Sequence, residues 1–222
     1  MEKQRESNCW YLKTCKDDCD KCVRYIQMKW QMDNSGLYPA QQKPIKMCII
    51  ESINGVDREA YKKLSDIREN ITEFVDNHEN LYICSEQAGN GKTSWAIRML
   101  HTYFHQRAVG NYDNLLGMFV NTTDLLIKLK DFNNPLPKKY LDNLENVDLV
   151  VFDDIAINSN ISNYDYTQLF NIINKRMMAE KSSIFTSNVT KYEDLEALFG
   201  PRLASRVYNT SQIIELKGLD IR

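Results

Sequence analysis

Residues 80 to 93, NLYICSEQAGNGKT, decide how the rest of the chain is read. Leu81, Tyr82, Ile83 and Cys84 form a short apolar run of β-forming residue types. Gly89, Asn90, Gly91, Lys92 and Thr93 follow, and a helical pattern starts at once. Strand, glycine loop, Lys-Thr and helix is the order of a phosphate-binding loop. Gly89 and Gly91 can take backbone conformations closed to other residues, so successive N–H groups can converge on phosphate oxygens. The helix expected from Lys92 adds the positive end of its dipole. Lys92 is suited to bridge the β- and γ-phosphates, and the Thr93 hydroxyl to hold Mg²⁺. The fuller pattern, G-x-x-x-x-G-K-[ST], has glycine where this chain has Glu86, so that carboxylate has to point away from the phosphates.

The complementary signal lies about 60 residues on. Residues 148 to 155 read DLVVFDDI: an apolar run suited to a strand buried on both faces, ending in two acids. The carboxyl ends of such strands are where α/β sheets place ligands. Asp153 is read as the Mg²⁺ carboxylate and Asp154 as the group that polarises the attacking water. Residues 183 to 190, SIFTSNVT, give a strand with a polar end, which sets Asn188 beside the γ-phosphate or in a plain turn. Two short helices follow over 192 to 208, broken at Gly200-Pro201. Arg202 and Arg206 lie four apart on one helical face, readable in isolation as two exposed arginines.

Between these motifs the pattern predicts an amphipathic helix over 58 to 78, a strand over 117 to 121 and a helix over 124 to 130 capped by Thr122 or Thr123. A two-proline loop over 133 to 139, a helix over 164 to 179 and a last strand over 212 to 216 complete it. Trp95, Tyr103 and Phe104 are core or base-stacking candidates. His101 and His105 stand four apart, but no Glu follows His101 as H-E-x-x-H requires.

With 222 residues, 43% of them hydrophobic and 26% charged, the chain can bury a full core in one or two domains. No stretch approaches the ~20 apolar residues of a membrane span. The opening MEKQRESNCW lacks the apolar core of a signal peptide, so a cytoplasmic protein is expected. A net charge of −2 carries no global nucleic-acid signature.

Cys9, Cys15, Cys19 and Cys22 fall in the stretch CWYLKTCKDDCDKC. In a reducing compartment such clustering points to Zn²⁺ held by four thiolates, with an iron–sulfur cluster or unligated thiols as alternatives. A helix over 22 to 33 carries Val23, Ile26 and Trp30 in one row and Tyr25, Met28 and Met32 in a second, for packing on the metal knuckle or for a protein partner. Residues 34 to 46, with Gly36, Pro39 and Pro44, have linker composition.

GNGKT, VVFDDI, FTSN and GPRLASRV, in that order, resemble the AAA+ ATPases of the bacterial helicase-loader group, the DnaC and DnaI type, and the close KGLDIR is similar too. The resemblance covers residues 58 to 222 well and the first 50 loosely. It implies an α/β AAA+ P-loop NTPase over residues 47 to 222, with a parallel five-stranded sheet flanked by helices and the phosphate-loop strand central. A small zinc-binding Cys-rich module and linker would fill residues 1 to 46. Carried over by position, Lys92 and Thr93 match Walker A, Asp153 and Asp154 Walker B, and Asn188 sensor 1. Arg206 matches the arginine finger that reaches a neighbouring subunit's nucleotide. Arg202 is its companion, and Arg222 matches the sensor 2 arginine. The resemblance implies ATP and Mg²⁺ as cofactors beside the structural zinc, and slow ATP hydrolysis. It further implies delivery of a replicative helicase to single-stranded DNA within the primosome, by a homo-oligomer or an assembly templated on the helicase. A transposition helper ATPase of the IstB type, or an adaptor that uses nucleotide only to fix its shape, are the alternatives.

Overall fold

Leu149, Val150, Val151, Phe152 and Asp153 are all buried, and this run forms strand β3 (Leu149–Asp153) in the interior of a parallel sheet. The structure, a computed structural model, describes residues 22–45, 55–107, 114–131, 133–156 and 162–218. The other strands are β1 (Asn80–Cys84), β2 (Gly117–Asn121), β4 (Ser182–Ser187) and β5 (Ser211–Glu215), in the order β2-β3-β4-β1-β5. All neighbours pair in parallel, with Tyr82 opposite Phe185 and Phe152 opposite Phe185. The phosphate-loop strand β1 is therefore interior, but the middle place belongs to β4. The connection from β1 crosses to the far edge at β2, and the one from β4 passes over β1 to β5. Those opposite directions open a crevice between the carboxyl ends of β1 and β4, where ligands of open α/β sheets bind.

Strand residues alternate between two apolar layers, as the period of two demands. Leu81, Ile83, Val151 and Ile184 face one layer; Tyr82, Cys84, Phe152 and Phe185 face the other. The first is covered by α1 (Val23–Asn34), α2 (Arg58–Glu69), α3 (Ile71–Asp76) and α4 (Lys92–Arg107). The second is covered by α5 (Thr122–Lys130), α6 (Lys138–Asn146), α7 (Asn163–Met178) and α8 (Tyr192–Ala204). Trp95, Tyr103 and Phe104 lie in the first layer, so they are core residues and not base-stacking ones. His101 is buried there too, which lowers its pKa to about 4.

Several local expectations change. The helix expected over 58 to 78 is two helices, parted at Asn70, whose φ of −104° and ψ of 27° leave the helical region. The cap of α5 is Asn121, whose side chain accepts from the Asp124 amide at 3.1 Å, and not Thr122 or Thr123. The proline loop gives way after Pro137 to α6, a helix the pattern did not announce. The break at Gly200 is present, with φ 71°, and the chain then widens into a π-turn over Ser205–Asn209.

The amino-terminal elements differ most. On α1 the buried residues are Gln27, Met28, Gln31 and Met32, while Val23, Ile26 and Trp30 stay exposed. The Gln31 amide explains the choice: it donates to the Asn114 carbonyl and accepts from the Leu116 amide, both at 2.9 Å. Residues 34 to 45 do not behave as a free linker. Ser35 offers its carbonyl to the Phe119 amide at 2.7 Å, satisfying the outer edge of β2. Gly36, with φ 84°, lies where a Cβ would come 2.6 Å from the Phe119 carbonyl oxygen. The expected division at 46/47 falls outside the described residues, as do Cys9, Cys15 and Cys19. Cys22 is half-buried and unbridged just ahead of α1. Among the described residues no three metal-ligating side chains cluster, and no helix is long and apolar enough to cross a membrane.

Candidate functional site

The loop between β1 and α4 takes the form its glycines allow. Gly89 has φ 77° and Gly91 φ 94°, both in the left-handed region. A small polar frame holds this shape. Ser85, fully buried at the end of β1, accepts from the Gln87 amide at 3.1 Å and from the side-chain amide of Asn90. The same Asn90 group reaches the Leu216 carbonyl at 3.3 Å, tying the loop to the chain leaving β5. Two further bonds anchor that exit: the Asp57 carboxylate accepts from the Lys217 and Gly218 amides, both at 2.7 Å.

Lys92 opens α4, and its Nζ turns back over the loop to the Gln87 carbonyl at 2.8 Å and the Asn90 Oδ1 at 3.4 Å. An ammonium held by neutral oxygens can exchange them for phosphate oxygens, which offer stronger charge-assisted bonds. Glu86 has no positive φ, so nothing in the backbone there calls for glycine. Its side chain is exposed and accepts from the Thr190 hydroxyl at 3.5 Å, pointing outward as the loop's chemistry demands.

The acids stand against the same loop. Asp153, at the end of β3, accepts on Oδ1 from the Thr93 hydroxyl at 2.8 Å and from the Thr186 hydroxyl at 2.7 Å. Burial pushes its carboxyl above the ordinary carboxylate range; the Thr186 and Thr93 hydroxyls oppose that, Asp154 adds to it and Lys92 opposes it. Mg²⁺ fits this donor set. The Thr93 hydroxyl gives its proton to Oδ1 and keeps lone pairs for the ion, and Asp153 Oδ2 accepts no hydrogen bond among the described residues, which leaves it for the ion or its water. Asp154 follows with φ 53°, a left-handed turn that redirects the chain out of the sheet.

Asn188 lies directly after β4, exposed at the carboxyl end of the strands, as expected. Arg206 sits in the π-turn. Its Nε donates to Asn174 Oδ1 at 2.8 Å, its Nη1 to the Arg202 carbonyl at 3.1 Å, and its guanidinium lies 4.6 Å from the Phe170 ring centre. Among the described residues its contacts run to α7 and α8, and none to the loop or acids of its own chain. Arg202 is exposed. Arg222 lies outside the described residues. Reading by motif missed Ser85 and Thr186. Ser85 directly follows the apolar run 81–84, and Thr186 stands two residues before Asn188 in the polar end of β4; a hydroxyl at the carboxyl end of a strand is the signal that could have found them.

No protein-family model matches the chain. The replicative helicase loader DnaC of Buchnera aphidicola subsp. Baizongia pistaciae is 27% identical over 167 residues, covering 72% of this chain and 63% of that protein. The replicative helicase loader DnaC of Escherichia coli (strain K12) is 25% identical over 190 residues, covering 83% and 71%. The chain thus spans less than two thirds of the first relative's length. A crystal structure of the DnaC helicase loader matches with a TM-score of 0.62 at 22% identity, covering 74% of this chain and 92% of that one. The likeness to DnaC-type helicase loaders read from the motifs is thus present in both sequence and fold.

Proposed function

We propose that this chain loads a replicative DNA helicase under the control of bound Mg²⁺-ATP. The observation that supports this best is the meeting of Thr93 and Asp153, 2.8 Å apart, at the foot of a glycine loop that carries Lys92. The likeness to proteins named replicative helicase loaders supports the task assigned to that site.

The amides around Gly89, Asn90 and Gly91 receive the phosphates, and Lys92 exchanges the Gln87 carbonyl for phosphate oxygens. Thr93 and Asp153 hold Mg²⁺, directly or through water, and the ion supplies charge neutralisation on the β- and γ-phosphates. Asp154 polarises the attacking water. Asn188 meets the γ-phosphate from the end of β4. Arg206, with Arg202 beside it, reaches the nucleotide of a neighbouring subunit, and Arg222 completes the site from the carboxyl end. The γ-phosphate thereby favours the assembled state, and hydrolysis releases it. Cys9, Cys15, Cys19 and Cys22 hold zinc, and this amino-terminal region docks the helicase, which is delivered to single-stranded DNA in the cytoplasm.

The deciding experiment is co-purification of the full-length chain with a replicative helicase, with and without Mg²⁺-ATP. Retention that depends on nucleotide is expected. No retention under either condition removes the loading role, even where ATP still binds. Turnover abolished by Asp154→Ala rejects the non-hydrolysing adaptor.

A further inference from the structure

We infer that Thr186 is a positioning residue for both acids: its hydroxyl fixes Asp153 as the metal carboxylate and Asp154 as the water-polarising group. This rests on the nucleotide-hydrolysing reading above.

β3 and β4 pair in register up to Phe152 opposite Phe185, and there the ladder ends. The next residue on β4 is Thr186, fully buried. A hydroxyl has one proton to give and lone pairs to accept with, and Thr186 uses both. It donates to Asp153 Oδ1 at 2.7 Å and accepts from the Asp154 amide at 2.8 Å. Its main-chain carbonyl accepts from the Ile155 amide at 2.9 Å. One residue therefore holds three consecutive residues of the acidic turn.

Two consequences bear on chemistry. Asp154 has φ 53°, a conformation that residues with a Cβ adopt only when their surroundings impose it. The Thr186 hydroxyl is the group that captures its amide in that pose, and so aims its carboxylate. At Asp153, the Thr93 and Thr186 hydroxyls both fall on Oδ1. The carboxylate plane is then fixed, and Oδ2 keeps its lone pairs for a cation or its water. Without Thr186 the carboxylate hangs from Thr93 alone and can rotate.

The plainer account is a buried threonine that only completes its hydrogen bonds. It forecasts lower stability with unchanged kinetics per folded molecule. Positioning forecasts a split, because it acts on the metal-bound reacting state and not on phosphate capture. The experiment compares the full-length chain with Thr186→Val and Thr186→Ser. It measures ATP turnover across a Mg²⁺ titration, and binding of a fluorescent ATP analogue in EDTA. Thr186→Val is expected to lower turnover by at least about tenfold, less than the roughly 10²–10⁴-fold of losing an acid–base group outright, and to need more Mg²⁺, while affinity in EDTA holds. Thr186→Ser restores both. Should Thr186→Val not fold, Thr186→Cys, close to Ser in size with a weak donor, takes its place. Turnover of Thr186→Val equal to the parent, or equal losses in Val and Ser, overturns the inference alone. A parent chain that neither binds nor turns over Mg²⁺-ATP overturns the nucleotide reading, and the inference with it.

Discussion

The Thr93 hydroxyl donates to the Asp153 carboxylate at 2.8 Å across 60 residues of sequence, joining the first turn of α4 to the end of β3. The contact puts the two candidate Mg²⁺ groups in one place and makes Asp153 a buried charge. It also gives that charge a measurable effect on stability.

Burial raises the Asp153 carboxyl above its unfolded value. In the window between an unfolded pKa near ~3.9 and the higher folded value, the folded chain binds more protons than the unfolded one. Stability contributed by this group is thus full in acid and falls as pH rises through the window. At neutral pH the ionised form is a net cost. Asp153→Asn keeps an oxygen for both threonine hydroxyls and removes the charge. The nucleotide-free variant should melt higher at pH 7, since each kcal/mol of relieved cost raises the melting temperature by about 2–4 °C in a chain of this size. The gain should shrink as pH approaches 4, and Mg²⁺-ATP should no longer raise the melting temperature. Melting curves across pH, with and without Mg²⁺-ATP, check all three; a gain that does not vary with pH contradicts the argument.

Lys92 offers a cleaner test of phosphate capture. Its ammonium rests on the Gln87 carbonyl at 2.8 Å and Asn90 Oδ1 at 3.4 Å, both oxygens of the loop that awaits the phosphates. Hydrogen bonds to charged groups contribute about 1.5–3 kcal/mol. ATP affinity should therefore fall by roughly tenfold to a hundredfold, with little change in melting temperature. Titration with a fluorescent ATP analogue reads the change, and unaltered affinity contradicts the site.

What could be read in advance follows from the range over which each signal acts. The phosphate loop and β3 were legible because their patterns are local: glycines ahead of Lys-Thr, and an apolar run before two acids. The carboxyl-end crevice followed from those two. The face of α1 was not legible. Val23, Ile26 and Trp30 make the more apolar row, yet Gln31 turns the helix by pairing with the backbone at Asn114 and Leu116, more than 80 residues away. Thr186 was hidden for the same reason, since its role exists only once β4 pairs with β3 in one register.

Arg176 on α7 is fully buried and bonds no carboxylate. It donates to the Leu144 and Val147 carbonyls at 3.0 Å, the Ser182 carbonyl at 2.5 Å and the Ser183 hydroxyl at 3.2 Å. One side chain thus joins the end of α6 to the start of β4. Arg176→Met leaves these acceptors without donors in a closed space. It should cost about 1–3 kcal/mol, the scale of leaving buried acceptors unsatisfied. Urea denaturation measures it, and a loss under about 1 kcal/mol means that water or rearrangement replaces the guanidinium.

Arg206 separates action within a chain from action between chains. Asn174, the Arg202 carbonyl and the Phe170 ring hold its guanidinium away from the loop and acids of its own chain. If it completes a neighbour's site, Arg206→Ala should keep ATP binding yet lose turnover by at least about a hundredfold, less than the full range of arginine fingers. Lys92→Ala carries the opposite defect: an intact Arg206 and a failed loop. Each variant alone is then inactive, but in a mixture the Arg206→Ala subunit binds ATP while the Lys92→Ala subunit supplies the arginine. The mixture, assayed with helicase present, should regain a clear fraction of parent turnover. An arginine serving its own chain gives the mixture only the sum of two inactive proteins. A mixture that stays at that sum, at concentrations where the parent assembles, removes Arg206 from the neighbour's site.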